Sequence, residues 1–306
     1  MVLHNWIERT DQLFVASYKI FFFIVGTFGN LSFIYLVIRF RQLRSKSSYL
    51  QCIQCFVHVI CLLGTMVDVA LAFPDVQLGR DECFHVMVPF VFFEAAQTVL
   101  MLELVVDILI IVQFPGFYKI VDTWKYLLAA FPLPILFGSV FAIWGFTDLD
   151  DEEIYFCSPT AALHTKASMN YTRVIVITNT ITVAVFALLI FTFHQKAKNE
   201  NAESSKVMKR LQLSVAIFLG SWYITIFTYY ICIAVGVTGE DLHFTINNLS
   251  FFVCLAYSQT FYVILWKSSE YRKVFFDLLA SSRTTRETTK MSSSRVAVLL
   301  HSPTLI

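Results

Sequence analysis

Seven apolar runs, each about the length of a membrane span, dominate this sequence. The first clear one is Phe21–Ile38, flanked by Lys19 and Arg39. A bilayer core ~30 Å thick takes roughly 20 residues of helix to cross. Comparable runs recur near 50–73, 84–112, 126–146, 173–194, 211–235 and 247–266. An odd number of crossings puts the two termini on opposite sides of the membrane. The pattern excludes a soluble enzyme and predicts an all-α membrane protein, a bundle of seven transmembrane helices.

Composition supports a lipid environment. Of 306 residues, 57% are hydrophobic and 15% charged, against about 25% charged in a typical soluble domain. The net charge of +1 conceals an asymmetry. The connections 39–49, 113–125 and 195–210 and the segment 267–306 hold 18 of the 23 Lys and Arg residues. Acids gather on the other side, at Asp75, Asp81, Glu82, the run Asp148–Glu153, Glu240 and Asp241. Short loops rich in Lys and Arg stay cytoplasmic. The N-terminus is therefore expected outside and the C-terminus in the cytoplasm, in a multi-pass plasma-membrane protein. The first apolar run exceeds the core of a signal peptide, about 7–15 residues, and reads as a span that also directs targeting.

The chain divides into an extracellular segment 1–16, a seven-span domain 17–266, an amphipathic inner-leaflet helix 267–279 and a disordered cytoplasmic tail 280–306. In that helix Tyr271, Val274, Phe275 and Leu278 share one face, with Glu270, Lys273 and Asp277 largely opposite, the pattern of an interfacial helix. The tail carries a Ser/Thr cluster that could accept phosphate and reverse its charge; the alternative is a plain polar tail. The acidic run Asp148–Glu153 is either a solvated loop or an attractor of cationic ligands, since a mouth of one sign concentrates counter-ions. Of seven Cys, only Cys83 and Cys157 fall in expected extracellular positions. Two cysteines in an oxidising compartment favour a disulfide, here joining the second outer loop to the third helix; the alternative is two free thiols. Asn170-Tyr171-Thr172 is a glycosylation sequon, close to the membrane entry of the fifth span.

Ionisable groups inside spans are costly and are functional candidates by default. Here they are Asp68, Glu94, Glu103, Asp107 and His58. Asp68 and Glu94 lie towards the outer halves of their helices and could serve as anionic partners for an amine or other donor, or as satisfied structural groups. Glu103 reads as structural. With no Lys or Arg near the middle of a span, no ion pair is expected inside the membrane. The sequence holds no metalloprotease, nucleophile-elbow or phosphate-loop motif and no internal repeat of the transporter kind, so neither enzyme, cofactor, metal nor nucleic acid is indicated.

The motifs, taken in order, resemble those of the rhodopsin-like G-protein-coupled receptors, and most closely the nematode serpentine chemoreceptors of the Srsx type. Gly29-Asn30 is similar to the Gly-Asn pair of the first helix, and Leu43-Arg44-Ser45-Lys46 to the first inner loop. Cys83 and Cys157 occupy the places of the family's outer disulfide. Asp107 opens a segment with the spacing from the Asp of the Asp-Arg-Tyr motif to the loop proline, here Pro115. Phe218, Ser221 and Trp222 resemble the sixth-helix motif, and Trp266–Phe275 resembles the junction after the seventh helix. Four positions depart from the common pattern. Ile108 stands in place of the usual Arg, His58 in place of the second-helix Asp, Ile224 in place of the sixth-helix Pro, and Thr260-Phe261 in place of Asn-Pro.

The resemblance implies a chemosensory receptor that binds an extracellular small molecule or peptide and signals through a heterotrimeric G protein, with membrane lipid around it and a receptor kinase or arrestin at its Ser/Thr tail. A transporter or channel, or a signalling-silent membrane protein, is the alternative that Ile108 keeps open. The cavity is expected between the outer halves of helices three, five, six and seven. Asp68, Glu94, Gln97, Trp222, Tyr229 and Tyr230 are the expected ligand contacts. Asp107, Ile108, Pro115, Lys206, Lys209 and Arg210 form the expected switch and G-protein face, with Asp107 anchoring the inner loop near Tyr118 or Lys119. A tag at each terminus checks the predicted orientation. Antibody applied to intact cells should reach only the N-terminal tag, and staining of the C-terminal one would overturn the seven-span reading.

Overall fold

Leucine, phenylalanine and valine exposed to lipid leave the backbone no solvent to bond with, so each apolar run must close its hydrogen bonds within a helix. The computed structural model describes residues 2–72, 78–154, 157–196, 219–237 and 239–280, together with Leu213, Ala216 and Ile217. Among these, six helices are long and apolar enough to cross a membrane: Thr10–Arg39, Lys46–Leu71, Arg80–Gln113, Thr123–Thr147, Thr165–Phe193 and Phe244–Lys267. A seventh apolar helix, Leu219–Ala234, is shorter in its described part.

In chain order the helices are α1 (Val2–Arg39), α2 (Lys46–Ala72), α3 (Arg80–Gln113), α4 (Pro115–Ile120), α5 (Thr123–Ala130), α6 (Pro132–Thr147) and α7 (Thr165–Lys196). A π-helical turn, Leu219–Tyr223, leads into α8 (Ile224–Ala234), followed by α9 (Gly239–Lys267) and by α10, residues 269–280. The fourth span is thus made of α5 and α6, joined at Phe131. The chain forms two compact units, Met1–Ile264 and Leu265–Ile306. α10 belongs to the second, where Lys267 Nζ sits 3.9 Å from the Trp266 ring centroid. The first helix begins before its apolar run, so residues expected as a leading segment are helical from Val2. The tail 281–306 and the basic residues Lys206, Lys209 and Arg210 lie outside the described residues.

Local chemistry explains the helix ends. Asp122 caps α5 by accepting from the Trp124 amide at 3.2 Å, and Pro115 opens α4, where a missing N–H costs nothing. α8 ends in a paired-bond cap. Val237 N–H reaches Cys232 O at 2.9 Å, and Gly236 N–H reaches Ile233 O at 3.1 Å. The cap needs a left-handed residue, and Gly236 supplies it with φ 84°.

α3 is the central helix, packed against α2, α6 and α7. Its buried side chains, among them Phe84, Met87, Val91, Val105 and Ile108, form the middle of the core. α6 approaches α3 closely because Gly138 has no side chain: a Cβ there would stand 2.7 Å from the Phe92 carbonyl oxygen. Small residues at such contacts are how membrane helices gain packing area. α1 and α9 are joined by polar bonds as well: Asn30 donates to Tyr257 O at 2.9 Å, and Tyr262 to Val25 O at 2.8 Å.

One end of the bundle carries residues 148–154 and 157–160. Cys83 and Cys157 form a disulfide with 5.6 Å between their Cα atoms. A short antiparallel ladder pairs Leu78 with Ile154 and Gly79 with Glu153. Arg80, 5% exposed, grips the same segment through Asp150 and through Glu152, the latter at 2.8 Å. Asp148 accepts from the Trp144 indole at 2.9 Å. The acidic run is therefore divided: three of its carboxylates are engaged locally, while Asp151 and Glu153 face outward.

Replacing Gly138 tests the α3–α6 approach. Gly138→Ala should lower the thermal midpoint of purified receptor by overpacking, about 1–3 kcal/mol. Gly116→Ala, where an added Cβ meets nothing within 4 Å, should leave it unchanged.

Candidate functional site

A cavity of about 820 Å³, counting the open space at its mouth, lies at the disulfide end of the bundle. Its walls come from α1 (Lys19), α2 (Gly64, Thr65, Asp68), α3 (Glu94), the π turn and α8 (Trp222, Thr225, Ile226, Tyr229) and α9 (Asn247, Leu249, Ser250, Val253, with Ile246). Ser158, Pro159 and Thr160, directly after the disulfide at Cys157, complete the wall.

Three ionisable side chains meet the cavity. Lys19 Nζ is paired with Asp68 Oδ2; the Lys19 side chain is 4% exposed and that of Asp68 18%. The ion pair expected to be absent from the spans is therefore present. Lys19 lies ahead of the first apolar run but inside α1, well beyond its start at Val2. Burial of an ammonium there requires a carboxylate, and Asp68 supplies it. Beside the pair, the Tyr18 hydroxyl meets Ser250 Oγ at 2.5 Å and donates to Asn247 O. Glu94 stands on α3, half-buried, with Tyr171 OH donating to it at 3.5 Å. No cation lies within ion-pair distance of Glu94 among the described residues.

Trp222 connects this cavity to the middle of the bundle. Its ring centroid lies 5.5 Å from that of Tyr257, which lies 5.2 Å from His58. Trp222 is 2% exposed, Tyr257 and His58 fully buried. It sits in the π turn, a widened helical geometry that often marks functional bends. Ile224, which replaces the expected proline, follows directly, so the irregularity of the sixth span rests on backbone bonding rather than on a proline ring.

At the opposite end of the bundle, Asp107 is fully buried. Ser47 Oγ donates to one carboxylate oxygen, and Tyr126 OH to the other at 2.7 Å. Ser47 Oγ also lies 3.3 Å from Tyr118 OH. Lys46 donates to Tyr118 O, with its ammonium 4.5 Å from the Tyr118 ring centroid and 5.7 Å from that of Tyr126. Burial first, and then the Asp107 charge, hold the Tyr118 phenol well above its usual range, which keeps it a proton donor. Ile108, 1% exposed, is core. The cation nearest this carboxylate thus comes from the start of α2, not from the residue after the Asp.

A family model described as serpentine type 7TM GPCR chemoreceptor Srsx matches residues 23–279. The chain belongs to that family. It is a seven-helix chemoreceptor of the G-protein-coupled class and a multi-pass membrane protein, with an extracellular ligand and a G protein as its partners. A comparison with curated proteins found no match.

Within this Srsx receptor, Asp68, Glu94, Trp222 and Tyr229 line one cavity. Gln97 and Tyr230 do not. Gln97 is fully buried against Cys61, whose Sγ lies 4.0 Å from its Oε1, and Tyr230 stands one residue past the lining face of α8. The cavity also departs from the expected walls: the first and second spans contribute, while the fifth does not. On α7, Tyr171 packs edge-on against Phe141 with centroids 5.0 Å apart and sends only its hydroxyl towards Glu94. Lys19, Thr225, Asn247 and Ser250 were missed, and only a pairing between Lys19 and Asp68, distant in sequence, could have signalled the first two walls. Glu103 joins neither site; its Oε2 has no hydrogen-bond partner among the described residues. Pro115 opens α4 beside the Asp107 cluster. Asn170 is half-buried inside α7, and its sequon partner Thr172, 2% exposed, donates to Ser168 O at 2.9 Å. A sequon wound into a helix with a buried Thr argues against a glycan there, since acceptors lie in surface loops.

The Lys19–Asp68 pair is open to a double-mutant cycle. Lys19→Met should destabilise purified receptor by roughly 3 kcal/mol, the low end for a broken buried pair because Asp68 keeps some exposure. Lys19→Met combined with Asp68→Leu should recover most of that loss in the thermal midpoint.

Proposed function

We propose that ligand binding in the cavity biases this receptor between two helix arrangements, and that the Asp107 cluster holds the resting one. On the orientation that the Lys and Arg distribution predicts, the cavity faces the outside of the plasma membrane and the cluster faces the cytoplasm. The observation that carries the reading is the line of buried rings from Trp222 in the cavity wall through Tyr257 to His58 on α2. The other end of α2 presents Ser47 to Asp107 and Lys46 to the neighbouring Tyr118 carbonyl. A ligand that binds one arrangement better shifts the population by its differential affinity, with no covalent step.

On this reading Asp107, Ile108 and Pro115 mark the switch. Two hydroxyl donors restrain Asp107 where other receptors use an adjacent Arg. G-protein contact rests on shape and on the basic residues Lys206, Lys209 and Arg210. A receptor kinase would place phosphate on the Ser/Thr tail, and the added negative charge would recruit an arrestin-type partner.

The test is G-protein activation in cells expressing the receptor with a panel of G proteins. Ser47→Ala and Tyr126→Phe each remove a donor from a buried carboxylate, a loss of about 1–3 kcal/mol, so each should raise basal activation severalfold. Neutralising Lys209 and Arg210 together should lower the maximal response. Unchanged basal activity in both donor variants would sink the switch. Silence of the wild type with every G protein and active ligand, reversed by Ile108→Arg, would sink native signalling.

A further inference from the structure

The ionisable groups around the cavity do not pair off, and their arrangement assigns a ligand class. We infer that this site, on the receptor reading above, takes a small amphiphilic monoamine whose ammonium goes to Glu94. Lys19 neutralises Asp68, which leaves the Glu94 carboxyl as the one acidic group of the wall with no cation in reach among the described residues. A ligand carrying one positive charge supplies that partner. An anionic ligand would bring a second negative charge beside Glu94, and a zwitterion would leave the charge tally unchanged.

The remaining wall fits the same ligand. Tyr171 OH points at Glu94 and can share it with an N–H donor. The rings of Trp222 and Tyr229 belong to the same wall, and aromatic faces attract cations. Ile226, Leu249 and Val253 give the apolar surface for the body of the ligand, as small-molecule sites generally do around a few polar anchors. At the disulfide end of the bundle, Asp151 and Glu153 are exposed, and a surface of that sign draws cations in.

Four probes that share a phenylethyl unit separate the possibilities: 2-phenylethylamine, N-acetyl-2-phenylethylamine, 3-phenylpropanoic acid and phenylalanine. They are cationic, neutral, anionic and zwitterionic. The readout is the thermal midpoint of the full-length receptor in lipid nanodiscs across a titration of each probe, because a ligand that binds only the folded state raises it. The amine should raise the midpoint and the other three should not, or should need at least tenfold higher concentration. Glu94→Gln should weaken the amine tenfold or more. Asp68→Asn, which leaves Lys19 unpaired, should weaken the amine and strengthen the acid.

Equal shifts from the neutral probe, a larger shift from the acid or the amino acid, or no shift from the amine overturns the assignment. If Glu94→Gln does not fold, the four wild-type titrations and Asp68→Asn still decide. The two readings fail separately. Activation of a G protein by a non-cationic probe defeats the amine and keeps the receptor. Amine binding without activation of any G protein keeps the amine site and defeats the signalling mechanism.

Discussion

Inside hydrocarbon, a helix satisfies its own backbone but leaves each polar side chain to find a partner within the protein, and the architecture follows from where those partners lie. On α7 the answer is local: Thr178, Asn179 and Thr182 return to carbonyls four residues back, at 2.9, 3.0 and 2.9 Å. Such bonds cost the helix little and tie it to nothing. Elsewhere the answer is distant. Asn30, Ser258, Tyr262 and Tyr18 bond between α1 and α9, Lys19 reaches α2, and Asp107 gathers donors from α2 and α5. The cavity and the cluster at the opposite end are the two places where cross-helix demands are densest.

The spans, the disulfide and the polar groups of the bundle were legible because each announces itself along the chain. Hydropathy marks the spans, and cysteine position marks the bridge. Helix rotation left less trace. Gln97 and Tyr230 carry suitable chemistry, yet they fall on faces turned into packing, and a single sequence does not say how a membrane helix is turned when lipid is as apolar as the core. Lys19 was misjudged for a related reason. An apolar run begins where its polar flank ends, whereas the helix in space extends further and carries that flank into the bundle. Asp107 illustrates the same limit: the sequence offers a carboxylate without its usual Arg, but Ser47 and Tyr126 become its partners only once α2 and α5 meet α3.

On the proposed mechanism, the two ends of the receptor communicate through few groups. Trp222 lies in a π turn, so the sixth span is irregular where the cavity wall meets the line of rings to His58. A single extra residue per turn is a small change in backbone bonding, and helices can gain or lose it without unfolding. The proposed mechanism uses this turn as its two-state element between cavity and cluster, in contrast to the rigid contact at Gly138.

The disulfide has a further consequence for diversification. Ser158, Pro159 and Thr160 follow Cys157 immediately, so covalent tethering and the grip of Arg80 on Asp150 and Glu152 fix where this part of the cavity wall begins. Three residues thus line the cavity from a stretch tethered at Cys157. On the proposed reading, substitutions at 158–160 would change which ligand the cavity takes while the helices keep their packing, so this short stretch is where ligand preference can vary apart from the fold.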